Sequence, residues 1–207
     1  MTIRLHRGDL PDLSRYGAGS VAIDTETMGL DLHRDRLCVV QLSPGDGTAD
    51  VVQIPAGADA ASAPNLAALL GNPAVVKIFH FGRFDLAMLC RAFGVMPAPV
   101  YCTKIASRLA RTYTDRHGLK DLVRELIGQD LSKQQQSSDW GAETLTEAQL
   151  VYAASDVLYL HALRERLDVM LAREGRAELA RACFDFLPHR ARLDLAGWAE
   201  QDIFAHS

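Results

Sequence analysis

This sequence predicts a mixed β-sheet flanked by helices, from three observations. Short strand-like runs rich in β-branched residues crowd the first half of the chain, whereas apolar residues at helical spacing dominate the second. Gly, Pro and Asp clusters punctuate the strand-like half at the intervals expected of turns. The 207 residues, 48% hydrophobic and 23% charged, suffice for a well-buried core. We read residues 1–207 as a single domain, with a core over about 18–172 and a helical tail over about 173–207.

Taken in order, the first strands are SVAIDTE (20–26) and LCVVQLS (37–43). The cluster SPGDGTAD turns the chain into a third strand, DVVQIP (50–55). Residues 65–70 read as a short helix ended by Gly71, Asn72 and Pro73. VVKIFH (75–80) follows as a continuous apolar strand, and FDLAMLCRAF (84–93) as a helix stopped by Gly94. PVYCTKIASRLA (99–110) reads as a short strand running into a helix. HGLKDLVRELIG (117–128) places Leu119, Leu122, Val123, Leu126 and Ile127 on one helical stripe. QDLSKQQQSSDWGAET (129–144) is the longest polar interruption, a functional or packing loop. Thr146 and Gln149 then form a capping box, with Leu145 at the staple position, to open a helix carrying Tyr152 and Asp156.

Composition excludes several classes. No apolar run reaches membrane-spanning length and the start lacks a signal-peptide stretch, so a cytoplasmic location with no membrane partner is expected. Cys38, Cys90, Cys102 and Cys183 are scattered without a C-x-x-C pair, which predicts four reduced thiols rather than a zinc site or disulfides. The net charge of −4 is unlike that of proteins holding long nucleic acids, which neutralise many phosphates. It suits a short substrate better.

The chemistry resides in five residues. Asp24 and Glu26 are two apart on a strand and point to one face. Asp85 opens the helix after the strand VVKIFH, and Tyr152 and Asp156 share a helix face at a spacing of four. Alone, each has a bland reading as a surface acid, a helix N-terminal charge or a packed tyrosine. Together, within apolar contexts, four carboxylates need a cationic partner. Two hard divalent cations, Mg²⁺ or Mn²⁺, would satisfy them and perform in-line phosphodiester hydrolysis, with Tyr152 orienting or helping to deprotonate the water.

This arrangement resembles the DEDDy 3′-5′ exonucleases. LSKQQQSSDWGAETLTEAQLVYAASDVLYL, with HGLKDLV before it, closely resembles the matching stretch of ribonuclease D, and the likeness covers most of residues 20–165. The resemblance implies a ribonuclease H-like fold, Asp24, Glu26, Asp85 and Asp156 as ligands of two metal ions, and Tyr152 as positioner of the water. Ribonuclease D carries further helical nucleic-acid-binding domains, whereas here the chain ends about fifty residues past Asp156. The short whole-chain form, with its opening GDLPDL and AIDTETMGL, resembles the nanoRNase C family. That implies diribonucleotides as preferred substrate, short single-stranded RNA (or short DNA) as partner, nucleoside 5′-monophosphates as products, and a homo-oligomer, an octameric ring. Ribonuclease D-like trimming of longer RNA or single-stranded DNA is the nearest alternative. A catalytically inactive RNA-binding scaffold is another, disfavoured because a degenerate copy should lose its acids first.

Further candidates surround the acids. Thr25 lies between the first two. Met28, Gly29 and Leu30 follow them, and by the family pattern an apolar side chain there, Leu30, wedges against the terminal base or else packs under the turn. His80 and Phe81 end a strand whose edge meets the terminal nucleotide in that pattern. Phe81 is suited to stacking, and His80 is equally readable as a core histidine. Arg116, His117 and Lys120 form a basic cluster, either a phosphate grip or a solvated face. Lys133, Gln136, Ser138, Asp139 and Trp140 match the ribonuclease D loop and are expected beside Tyr152 and the substrate. Arg34 and Arg36 are left between a phosphate and a neighbouring subunit. The tail from Leu187, with Leu193, Leu195, Trp198, Ile203 and Phe204, is expected to dock within the chain or on a second subunit.

Overall fold

The computed structural model describes residues 2–132 and 134–206. Six strands form one mixed sheet: β1 (Thr2–Arg7), β2 (Gly19–Thr27), β3 (Leu37–Ser43), β4 (Thr48–Gln53), β5 (Val75–Phe79) and β6 (Val100–Cys102). Their order is β1-β4-β3-β2-β5-β6. The β2–β3 and β3–β4 pairs are antiparallel, as short turn connections permit, and the β1–β4, β2–β5 and β5–β6 pairs are parallel. β3 is buried at every position, and β2 beside it buries Val21, Ala22 and Ile23 completely. The β2–β3 register shifts between Glu26 and Thr27, an irregularity of the kind that re-aims side chains at the end of a strand.

The helices are α1 (Pro64–Gly71), α2 (Arg83–Phe93), α3 (Thr103–Ala110), α4 (Leu119–Leu122), α5 (Glu147–Leu158), α6 (Leu160–Arg173) and α7 (Ala177–Leu193). α4 continues as a π-helical turn, Val123–Ile127, and α7 as another, Asp194–Trp198. Gly94 ends α2 at φ 67°, a left-handed conformation suited to glycine. The Thr146–Gln149 capping box that opens α5 is present in both directions. α5 lies across β2, β3 and β4. Trp140, Leu145 and Ala153 there close a small core with Cys38, Val39 and Val51, separate from the main core.

Two features depart from the sequence reading. β1 was not anticipated, because TIRLHR has no fully buried face and takes its pairing from β4, far away in the chain. The tail packs Leu187 and Leu195 on the main core, as expected, but its far end is held by charge. Asp194 is buried between Arg83 and Arg190, whereas Trp198, Ile203 and Phe204 stay exposed.

Lys77, inside the apolar strand β5, is 0% exposed. Its ammonium donates to the carbonyls of Asn72, Val75 and Ala98 at 2.6, 2.9 and 2.5 Å, so all three donors are used. Lys77→Ala should strand those carbonyls and leave a cavity, costing about 3 kcal/mol or more. A urea denaturation midpoint unchanged from wild type would refute this.

Candidate active site

β2 delivers Asp24 and Glu26 to one face, and α5 brings Asp156 opposite them. One carboxylate oxygen from each of Asp24, Glu26 and Asp156 lies within 4.8 Å of the others. Asp85, the third residue of α2, is buried beside them and accepts a hydrogen bond from Thr25 Oγ1 at 2.6 Å. Arg83, two residues earlier, ties this first turn to Asp194 by Nε and Nη2 donors at 2.5 and 2.7 Å. Asp24 Oδ2 accepts from Gln41 Nε2, across the strand pair, at 3.0 Å.

Burial, and then mutual repulsion, governs the cluster's charge. Asp24 is raised well above the usual carboxylate range by burial and by Asp85, Asp156 and Glu26. Burial, with Asp156 and Asp85 behind it, pushes Glu26 up to about 9. Burial also raises Asp156 to about 7 and Asp85 to about 6. The Tyr152 phenol rises too, by burial and then by the Asp156, Glu26 and Asp24 carboxylates. The buried ion pairs lie elsewhere, among them Arg15–Asp50, Arg83–Asp194, Arg190–Asp194 and Arg111–Glu125, and among the described residues no Lys or Arg is paired to the four acids. Hard oxygen donors at this spacing with no internal cation fit divalent metal ions.

Asp24, Glu26 and Asp156 floor a cleft of about 320 Å³ lined by Thr25, His80, Gly118, Lys120, Gln136 and Tyr152 among others. His80 is held at Nδ1 by Thr103 Oγ1 at 2.9 Å, and burial, then Lys104, lowers its pKa to about 3, so it is neutral. Phe81 adopts φ 64°, a strained conformation for a non-glycine residue, and is 49% exposed with Lys104 Nζ 4.0 Å from its ring centroid. Leu30, 83% exposed, and Phe81 line an adjoining depression of about 520 Å³ with Phe84 and Arg83. Met28 is exposed as well.

The other candidates divide between the cleft and positions away from it. Thr25 lines the cleft, but its hydroxyl is committed to Asp85. Gly29 serves packing, since a Cβ there would meet Asp35 Oδ2 at 2.2 Å. Trp140 is 3% exposed and packs behind Tyr152, ring centroids 6.0 Å apart, so it supports the tyrosine rather than facing the cleft. Arg116 and His117 lie outside the cleft lining, and His117 Nδ1 meets Ser107 Oγ at 2.8 Å. Of that basic group only Lys120 reaches the cleft. Ser138 donates within its loop to Gln135 Oε1 at 2.6 Å, while Gln136 lines the cleft. Lys133 lies outside the described residues. Arg36 donates to the Leu37, Ile54 and Gly141 carbonyls, and Arg34 pairs with Asp35. Gln41 and Lys104 escaped sequence reading. A lone amide in the apolar run LCVVQLS was the available signal for the first.

Comparison with known proteins agrees with this geometry. A family model described as 3′-5′ exonuclease matches residues 12–172. The chain is 65% identical to Brucella melitensis NrnC, solved with bound Mg²⁺, at TM-score 0.96 with 100% of both chains covered. It is 66% identical to the same protein bound to pGG, at TM-score 0.97, again with 100% of both chains covered. Ribonuclease D of Acidiphilium cryptum (strain JF-5) is 40% identical over 158 residues, 76% of this chain and 39% of the relative. Escherichia coli RNase D is 26% identical at TM-score 0.75, with 86% of this chain and 46% of that one covered. The chain thus spans less than half the length of these two ribonuclease D relatives. The sheet order, the acid cluster and these likenesses converge on the ribonuclease H-like exonuclease fold, and the chain belongs to the 3′-5′ exonuclease family, on its ribonuclease D- and nanoRNase C-like side.

Proposed function

We propose that this chain is a metal-dependent 3′-5′ exoribonuclease that hydrolyses very short RNA, diribonucleotides above all, to nucleoside 5′-monophosphates. The observation that carries the reading is the uncompensated acid cluster, with ligand oxygens from three acids within 4.8 Å of one another. Asp24, Glu26, Asp85 and Asp156 hold two divalent cations, Mg²⁺ or Mn²⁺. When bound, these supply an acidified water and a stabilised leaving oxygen. Tyr152, stiffened from behind by Trp140, orients the attacking water. His80, Lys120 and Gln136 line the path of the sugar-phosphate, and Leu30, Met28 and Phe81 offer apolar contacts to the bases.

Preference for a short substrate is supported by the modest cleft of about 320 Å³, by the net charge of −4, and by the relative bound to pGG. Exposed Trp198, Ile203 and Phe204 support self-association, in the octameric ring implied by the nanoRNase C resemblance. No helix among the described residues is long and apolar enough to cross a membrane.

Cleavage of 5′-labelled RNAs from two to roughly twenty nucleotides, with Mg²⁺ or EDTA in parallel, tests the reading. Rapid loss of the dinucleotide with slow attack on longer chains is expected, abolished by EDTA. Laddering of the long RNA with the dinucleotide left intact would make the protein a general 3′-end trimmer. Binding without cleavage in any metal would make it a scaffold.

A further inference from the structure

Gln41 is the polar residue the fold has least reason to keep. It sits in β3, whose seven residues are all buried, and is itself 0% exposed. Its Oε1 is buried with no hydrogen-bond partner among the described residues. Such an orphaned acceptor destabilises the native state, and an apolar residue of similar volume would remove that penalty. What the amide does achieve is a bond from Nε2 to Asp24 Oδ2 at 3.0 Å, made between residues directly opposed in the antiparallel β2–β3 ladder. The donor therefore comes from a fully buried interior strand of the sheet, not from a loop. Among the described residues no other side chain donates to Asp24; apart from the Thr25 backbone beside it, Gln41 is what orients its carboxylate.

We propose that Gln41 is a positioning residue for the metal site: it holds Asp24 in the rotamer that serves the cation, at a standing cost in core stability. This rests on the reading of Asp24 as a metal ligand. Groups that orient ligands from behind are worth about 10- to 100-fold in metal affinity. An amide suits the task because it donates without carrying charge, so it orients the acid without competing with the cation for it.

The test is Gln41→Met, which keeps length and removes both polar atoms, followed by calorimetric titration of Mn²⁺ alone into metal-free protein at fixed pH. Mn²⁺ affinity is expected to fall about 10-fold or more while the metal-free Tm stays level or rises. A residue kept only for packing would give the reverse, a lower Tm with affinity retained, and that result overturns the inference. Gln41→Leu repeats the comparison in case methionine seats badly in the strand, and wild-type affinity in either folded variant is equally fatal. If wild-type protein binds no Mn²⁺, the ligand assignment itself falls and the inference with it. If wild type binds and Gln41→Met binds equally, only the role of Gln41 is lost.

Discussion

Asp24→Asn should lose phosphodiester hydrolysis by about 10³-fold or more and, in the absence of metal, melt at a higher temperature than wild type. Both halves follow from one fact. Asp24 is buried, and its ionised form is opposed by burial and by Asp85, Asp156 and Glu26. Asparagine keeps the shape and can still accept the Gln41 hydrogen bond, but it removes a charge that the metal-free fold tolerates badly. Removing one preorganised electrostatic group from a reaction centre commonly costs about 10²–10³, and a metal ligand should lie at or beyond the upper end. Relief of about 1–2 kcal/mol of repulsion would raise Tm by about 3–6 °C for a chain of this size. Activity without stability is the trade expected of a functional cluster. Melting in EDTA beside a dinucleotide hydrolysis assay in Mg²⁺ checks both halves. A variant with wild-type turnover would remove Asp24 from the mechanism, and one that melts lower in EDTA would recast it as structural.

The same cluster should make metal-free stability fall as pH rises, and divalent cations should reverse that slope. Unfolded, these acids titrate near their ordinary values of 3.8 and 4.5. Folded, Asp85 and Asp156 hold their protons to about 6 and 7, Glu26 to about 9, and Asp24 is raised well above the usual range. Between those limits the folded state binds more protons, so the stabilisation is full below pH 4 and drains away as pH climbs through the folded values. His80 works the other way below pH 6.5, because burial holds it neutral and lowers it to about 3. Asp35 and Asp46, lowered to about 2 by hydrogen bonds, have finished titrating by then. Lys77, lowered to about 8 by burial, begins to oppose the acids toward pH 8, so the window in which the acids dominate is pH 7 to 8. There, one to two protons retained by the folded state correspond to about 1–3 kcal/mol lost per pH unit. Thermal melts at the two pH values, in EDTA and in Mn²⁺, should give a metal-induced Tm increment that grows with pH and is smaller in Asp24→Asn. An increment independent of pH would show that the acids are already ionised without metal.

Some of this is legible in the sequence alone. Periodicities of two and of 3.6 residues aim Asp24 with Glu26, and Tyr152 with Asp156, and the capping box marks where α5 begins. Those are short-range patterns, so a linear reading reaches them. The edge strand β1 was not legible, since its stability comes from pairing with β4 more than forty residues away. Nor were the fates of neighbouring polar and aromatic residues. Trp140 lies in the loop expected beside Tyr152 and the substrate; it packs beneath Tyr152 but does not line the cleft. Arg116 and His117 precede a cleft that only Lys120 among them lines.

By itself, then, the sequence determined the reaction class, because phosphodiester hydrolysis on cations demands acids in apolar surroundings and local geometry suffices to group them in pairs. Tertiary structure alone decided which residues stand behind those acids. Gln41 reaches Asp24 through strand register, Thr25 reaches Asp85 across a strand–helix junction, and Asp194 reaches Arg83 over more than a hundred residues. Such contacts depend on where distant segments pack, and no local pattern in the chain encodes that distance.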